Sequence, residues 1–258
     1  MSEEANDIVF HESGSGRAVV LIHGFPMSSA IWRGFTSKLA SSFRVITPDL
    51  PGFGDSPLPK GTFSIDDIAG IILRKADALG IDKMVAIGHS LGGYVTLAMV
   101  KREPDRFAGF GLFHSTARPD TEEKKAGRDK AIAFIGANGA KAYASNFIAP
   151  LFADGNHPDV PFVRELNIQA KSETLVGYLK AMRDRPDRTD VLRSFPRPIL
   201  FIAGGKDPVI PAEDVRRQAE AASRGEYYEL EQQAHMALVE DVPATSSLVY
   251  DFVLRCYE

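Results

Sequence analysis

A serine bracketed by glycines is the residue in this sequence best placed to do chemistry. Met84-Val85-Ala86-Ile87 is a short apolar, β-forming run, Gly88-His89-Ser90-Leu91-Gly92-Gly93 follows, and Tyr94-Val95-Thr96-Leu97-Ala98 is compatible with a helix. This is G-x-S-x-G in the strand–turn–helix setting that lifts a serine hydroxyl clear of a strand end. The positions two before and two after the serine crowd so sharp a turn. Gly88 and Gly92 carry no side chain there, and Gly93 lets the helix approach closely. The helix N-terminus offers spare amide donors to developing negative charge. A purely structural glycine turn has the same string, so partners decide the matter. The hydroxyl needs a base to take its proton, and the base needs an acid to orient it.

The elements that position such partners follow from the hydrophobic pattern. A first strand over 8–11 ends in the turn Ser13-Gly14-Ser15-Gly16, which precedes a strand and so is not a dinucleotide fingerprint. Ala18-Val19-Val20-Leu21-Ile22 is apolar throughout, as a strand covered on both faces is. It runs into His23-Gly24-Phe25-Pro26, and a helix over 29–40 buries Trp32 and Leu39. A strand over 44–49 leads to the turn-rich 50–57, where capping accounts for Asp49 and Asp55. Ser64, Asp66 and Asp67 start a helix reaching 79. The elbow strand and helix come next, then a strand over 107–113 that ends at His114-Ser115.

From 117 to 190 no strand-like run occurs. Helical patterns over 121–135, 141–147, 162–170 and 174–183 stand between loops rich in Gly, Pro and Asn. Alternation then resumes with a strand over 198–203, the turn Gly204-Gly205-Lys206-Asp207-Pro208 and a helix over 212–222. A more polar edge strand over 226–230 leads to Gln232-Gln233-Ala234-His235-Met236, and a helix over 244–255 closes the chain. The expected fold is α/β: a doubly wound, mostly parallel sheet with an inserted helical lid. Residues 1–116 and 191–258 form the core, and 117–190 form the lid. Ligand chemistry in such sheets gathers at the carboxyl ends of strands, where Phe25, Ser90, His114, Asp207 and His235 all fall.

Composition narrows the function. The chain has 258 residues, 44% hydrophobic and 25% charged, as in an ordinary soluble globular protein. A formal net charge of −4 gives no basic stripe for nucleic acid. The single cysteine, Cys256, excludes an internal disulfide and reads as a packed side chain of the last helix. An acidic start without an apolar core, and no run long enough to span a bilayer, lead to the expectation of a cytoplasmic protein with no membrane partner. No metal or organic cofactor is expected. There is no His-Glu-x-x-His and no cysteine pair, and Gly205-Lys206 continues into Asp207 where a P-loop needs Ser or Thr. The partner expected is a small ester-type molecule; oligomeric state is not legible.

His23-Gly24-Phe25, Pro51-Gly52-Phe53-Gly54-Asp55-Ser56, Gly88-His89-Ser90-Leu91-Gly92-Gly93, Gly204-Gly205-Lys206-Asp207 and His235 together resemble the α/β-hydrolase fold family, from the first strand to the last helix. Their order, serine then acid then histidine, is that of the family. The resemblance implies Ser90 as nucleophile, His235 as base and Asp207 as its acid. His114 is the rival base. Asp120 is the rival acid, because some relatives take theirs from just after the strand that ends here at 113. It also implies an oxyanion hole from the backbone N–H groups of Phe25 and Leu91, and bracing or packing roles for His23 and His89.

The implied activity is hydrolysis of an ester or lactone through an acyl-enzyme. Dehalogenases and epoxide hydrolases of the family carry aspartate where Ser90 stands, so the serine argues against both. Carbon–carbon hydrolases, cofactor-free haloperoxidases and aminopeptidases share the triad, and residues 181–187 resemble a stretch of enol-lactonase and haloperoxidase-like members. A non-catalytic receptor of the same fold is the alternative outside catalysis. Met27, His114, Phe134, Phe147, Val209 and Met236 are the expected pocket lining, with Phe152 and Tyr178 as further lid aromatics.

Overall fold

Strands β2 (Ala18–Ile22), β4 (Met84–His89), β5 (Phe107–Phe113) and β6 (Ile199–Gly204) are buried at every residue, because helices cover both faces of the sheet they form. The computed structural model describes residues 8–258. With β1 (Phe10–Ser13), β3 (Arg44–Pro48) and β7 (Gly225–Leu230) the sheet has seven strands, in the order β1-β3-β2-β4-β5-β6-β7. All neighbours are parallel except β1, which pairs antiparallel with β3. That pairing starts two residues later than the apolar pattern at 8–11 suggests, since Phe10 meets Pro48 and Ser13 meets Val45.

The period-two alternation of the strands divides the core in two. Val20, Ile22, Ile46 and Ala86 pack with α2 (Ile65–Ala78), α3 (Leu91–Arg102) and α8 (Ala212–Ala221). Val19, Leu21, Val45 and Val85 pack with α1 (Arg33–Ala40) and α9 (Val242–Tyr257). The expected helix over 29–40 begins as a 3-10 turn, Ser29–Trp32, before α1. Ser64 caps α2 in a reciprocal box with Asp67.

Between β5 and β6 the chain is helical: α4 (Glu122–Phe147), α5 (Val160–Ile168), α6 (Ser172–Arg183) and α7 (Thr189–Ser194). The two patterns over 121–135 and 141–147 are joined, with no loop between them. Only Gly139 leaves the helical range, at φ 81° and ψ 164°. Two helices meet at that kink, where the Ala140 N–H donates to Ser172 Oγ at 3.1 Å. Helix α7 has no counterpart in the sequence reading, because six residues carry too little periodicity. The segment docks on the core through polar contacts: Tyr178 Oη to the Pro51 carbonyl at 2.9 Å, and Thr174 Oγ1 to that of Gly52 at 3.2 Å. Among the described residues, no helix is long and apolar enough to cross a membrane.

Candidate active site

Ser90 sits between β4 and α3 at φ 50° and ψ −113°. It and His114 are the two non-glycine residues of positive φ among those described. Its strained backbone is held by β5: Ser90 N donates to the Phe113 carbonyl at 2.9 Å, and Ser115 Oγ donates to the Ser90 carbonyl at 2.7 Å. The glycines are steric necessities. A Cβ on Gly92 would strike the carbonyls of Ile22 and His23, and one on Gly88 would strike the Gly92 backbone. Helix α3 therefore touches the end of β2 backbone to backbone.

Asp207 and His235 meet at the ends of β6 and β7. His235 Nδ1 lies 2.8 Å from Asp207 Oδ2, with both residues buried. Asp207 Oδ1 accepts the N–H groups of Val209 and Ile210 at 2.8 and 3.0 Å. Burial alone would raise the carboxyl pKa. The charge of His235 and the proximity of His114 outweigh it and hold Asp207 well below the usual carboxylate range. An ionised carboxylate only accepts, so the His235 proton sits on Nδ1 and the Nε2 lone pair is free. No hydrogen bond between Ser90 Oγ and His235 Nε2 occurs among the described residues; such contacts commonly tighten only when substrate fills a site.

The neighbouring histidines are buried and neutral. His89 Nε2 donates to the His235 carbonyl at 2.9 Å, and its ring packs 5.1 Å from that of His235. His23 Nδ1 donates to the Gly24 carbonyl and its Nε2 accepts Leu50 N–H, each at 2.9 Å. Burial drives the His23 pKa down to about 4, against the opposing pull of the Gly24 carbonyl and Asp49. Burial likewise lowers His89 and His114. Because the folded value lies below the unfolded one of about 6.5, the unfolded chain takes these protons first. The stabilisation is whole above pH ~6.5 and is lost as pH falls toward 4. Urea midpoints measured from pH 7 to 4 should fall accordingly, with His23 alone contributing on the order of 3 kcal/mol. A flat profile would mean that the rings are solvated.

The N–H groups of Phe25 and Leu91 donate to no protein acceptor among the described residues. The Phe25 ring touches Phe53, Phe147 and Tyr143, with centroids 6.2, 6.1 and 6.5 Å apart. Tyr143 and Phe147 stack on each other across one turn of α4. Sequence reasoning named Phe147 and passed over Tyr143, although their i,i+4 spacing was the available signal.

The remaining expected pocket residues scatter. Met27 lines a cavity of about 120 Å³ between residues 52–58 and the α5–α6 corner. Met236 is fully buried, and Val209 packs against both halves of the core. His114 is sealed in beside Asp207 and His235. Phe134 is 43% exposed on α4. Phe152 stacks on His157, and Tyr178 packs between Phe53 and Phe63. Cys256 is half-buried, and burial pushes its thiol up to about 12, which leaves it unreactive.

Asp120, the rival acid, is committed elsewhere. Its carboxylate takes Arg185 Nη1 at 2.7 Å and Arg128 Nε at 2.5 Å, joining α4 and the end of α6 to the loop after β5. Asp120→Asn should cost about 3 kcal/mol in chemical denaturation by leaving a buried guanidinium unpaired, while the rate per folded molecule stays within about threefold. A loss of rate like that of an active-site variant would move the acid to Asp120. One group of metal-ligand types lies close together among the described residues, His11, Asp49 and Asp55, with ligand atoms within 4.8 Å. Asp49 already accepts Ser29 N–H, Asp55 N–H and His11 Nε2 at 2.8, 3.1 and 3.2 Å, which makes the group a brace for the 50–57 loop.

A family model for the alpha/beta hydrolase fold matches residues 17–242. A pimeloyl-[acyl-carrier protein] methyl ester esterase of Methylococcus capsulatus is 28% identical over 251 residues, covering 93% of this chain and 96% of that protein. A 2-hydroxymuconate semialdehyde hydrolase of a Pseudomonas species is 29% identical, over 94% of this chain and 89% of that one. The solved structure of a thermophilic esterase from Thermogutta terrifontis, with malate bound, superposes at a TM-score of 0.92 and 28% identity, covering 97% of this chain and 94% of that one. With a sheet of this order, an elbow of this geometry and relatives of this kind, the chain belongs to the alpha/beta hydrolase fold family and is one of its hydrolytic enzymes.

Proposed function

We propose that the protein is a serine hydrolase that cleaves a carboxylic ester or lactone of a small, largely apolar substrate through an acyl-enzyme. The observation that carries this reading is the Asp207–His235 hydrogen bond at the strand-end rim on which Ser90 stands at its elbow. Ser90 Oγ attacks the carbonyl carbon as His235 Nε2 takes its proton. Asp207 holds the tautomer and stabilises the imidazolium. The N–H groups of Phe25 and Leu91, uncommitted within the protein, stabilise the oxyanion. The tetrahedral intermediate expels the alcohol, which takes the proton from His235. Water then repeats the sequence, giving its proton to His235 and returning Ser90 with release of the acid.

Helices α4 to α6 form the lid in this reading, since Tyr143 and Phe147 close over Phe25. These rings favour an apolar acyl or alcohol group. Carbon–carbon cleavage, perhydrolysis and peptide cleavage use the same three groups, so substrate preference needs its own measurement. A fluorophosphonate should label Ser90 in the wild-type protein and not in Ser90→Ala. A panel of p-nitrophenyl esters, lactones and dipeptide amides should then rank esters or lactones first. Absence of labelling at Ser90 would favour a receptor, and amides in first place would overturn the ester reading.

A further inference from the structure

Asp207 has more hydrogen-bonding capacity than His235 uses. Its Oδ1 is filled by two backbone N–H groups, and its Oδ2 accepts one donor from His235. A carboxylate oxygen takes two, so one lone pair on Oδ2 is left over. His114 Nδ1 stands 3.4 Å from that oxygen, an approach too poorly aligned to count as a hydrogen bond. The ring of His114 is wholly buried, and among the described residues neither of its nitrogens has a hydrogen-bond partner. A neutral imidazole always carries one N–H, and a donor left unmet in the interior is destabilising.

The Asp207 carboxylate is the charged acceptor beside it. The rings around His114 are Phe113, His235 and His89, with centroids 4.8, 5.7 and 6.0 Å away. The titratable groups facing it are Asp207 from the loop after β6, His235 from the loop after β7, and His89 from β4. His89 donates its own N–H to the His235 carbonyl. His114 also shares the positive φ of Ser90, at 49°, and its backbone N–H is tied to the Ile202 carbonyl of β6 at 2.9 Å. Strain of this kind persists where the surroundings hold a side chain to a task.

We propose that His114 is a positioning residue for the acid: as the Nδ1–H tautomer it supplies the second donor to Asp207 Oδ2, so that two imidazoles share one carboxylate oxygen. This rests on the reading of Asp207 as the acid that serves His235. The second donor draws charge away from the His235 contact, so the carboxylate stabilises the His235 imidazolium less. Burial keeps His114 uncharged, and its contribution is a donor rather than a charge.

Histidine-selective ¹⁵N NMR on the wild-type protein reads the tautomer directly, with His114→Asn identifying the resonance by its loss. The expected result is the Nδ1–H form with a slowly exchanging ring proton. Asparagine places an amide N–H near the Nδ1 position and tolerates positive φ. His114→Asn should therefore keep the acid limb of the kcat/KM profile close to wild type. His114→Leu should move that limb up by about one pH unit, which is about a tenfold loss on the acid side. A proton on Nε2, or a folded His114→Leu with an unmoved limb, would overturn the proposal; if the leucine variant does not fold, the tautomer decides. Failure of Ser90 to take a fluorophosphonate would remove the functional reading whatever the tautomer. Labelling of Ser90 together with an Nε2–H His114 would remove only this proposal.

Discussion

Ser90→Ala is expected to lower kcat for an activated ester by about a millionfold, since removing the nucleophile of such a triad has costs of that order. The turnover that remains is expected from the proposed oxyanion donors, because the N–H groups of Phe25 and Leu91 belong to the backbone and survive the substitution. The fold should survive too. The Ser90 carbonyl, which takes hydrogen bonds from Ser115 and Gly93, is untouched, and Oγ makes no hydrogen bond among the described residues. Steady-state rates and a thermal melt on the same preparation check both halves. A variant that keeps a tenth of the wild-type rate would show that Ser90 is not the nucleophile.

Asp207→Asn should be almost as severe, lowering kcat by about 10⁴-fold. The hydrogen bonds of Asp207 supply the reason. An asparagine Oδ1 would accept the Val209 and Ile210 N–H groups as the aspartate does. Its NH₂ group would then face His235 Nδ1, and a donor there forces Nδ1 to accept. The His235 proton moves to Nε2, where it blocks deprotonation of Ser90. The ring keeps its place and carries the wrong tautomer. Single-turnover kinetics should show slow acylation with binding preserved, whereas a change confined to KM would deny Asp207 this role.

The sequence was most informative where function and local sterics coincide. Gly88, Gly92 and Gly93 are legible because each removes a contact that no side chain avoids. Strand-end positions anticipate that Asp207 and His235 meet, because a parallel sheet gathers those ends on one rim. Contacts made across the fold left no periodic trace. Two arginines far apart in the chain close on Asp120, and nothing local to any of the three announces it. Arg185 reaches Asp120 from just past the end of α6 and Arg128 from α4; likewise Tyr143 meets Phe25, and His114 turns its ring toward Asp207. The join at Gly139 was hidden because one glycine between two helical patterns reads equally well as a loop or a kink.

The central claim is that Ser90 forms a transient covalent bond to the acyl group of its substrate. Rapid acid quench of the wild-type enzyme with p-nitrophenyl acetate, followed by peptide mass spectrometry, tests it most directly. One added acetyl mass on the peptide that contains Ser90, appearing with the nitrophenol burst and decaying with turnover, is the result predicted. Turnover of the ester with no acyl group on that peptide, or with the label on another residue, would contradict it.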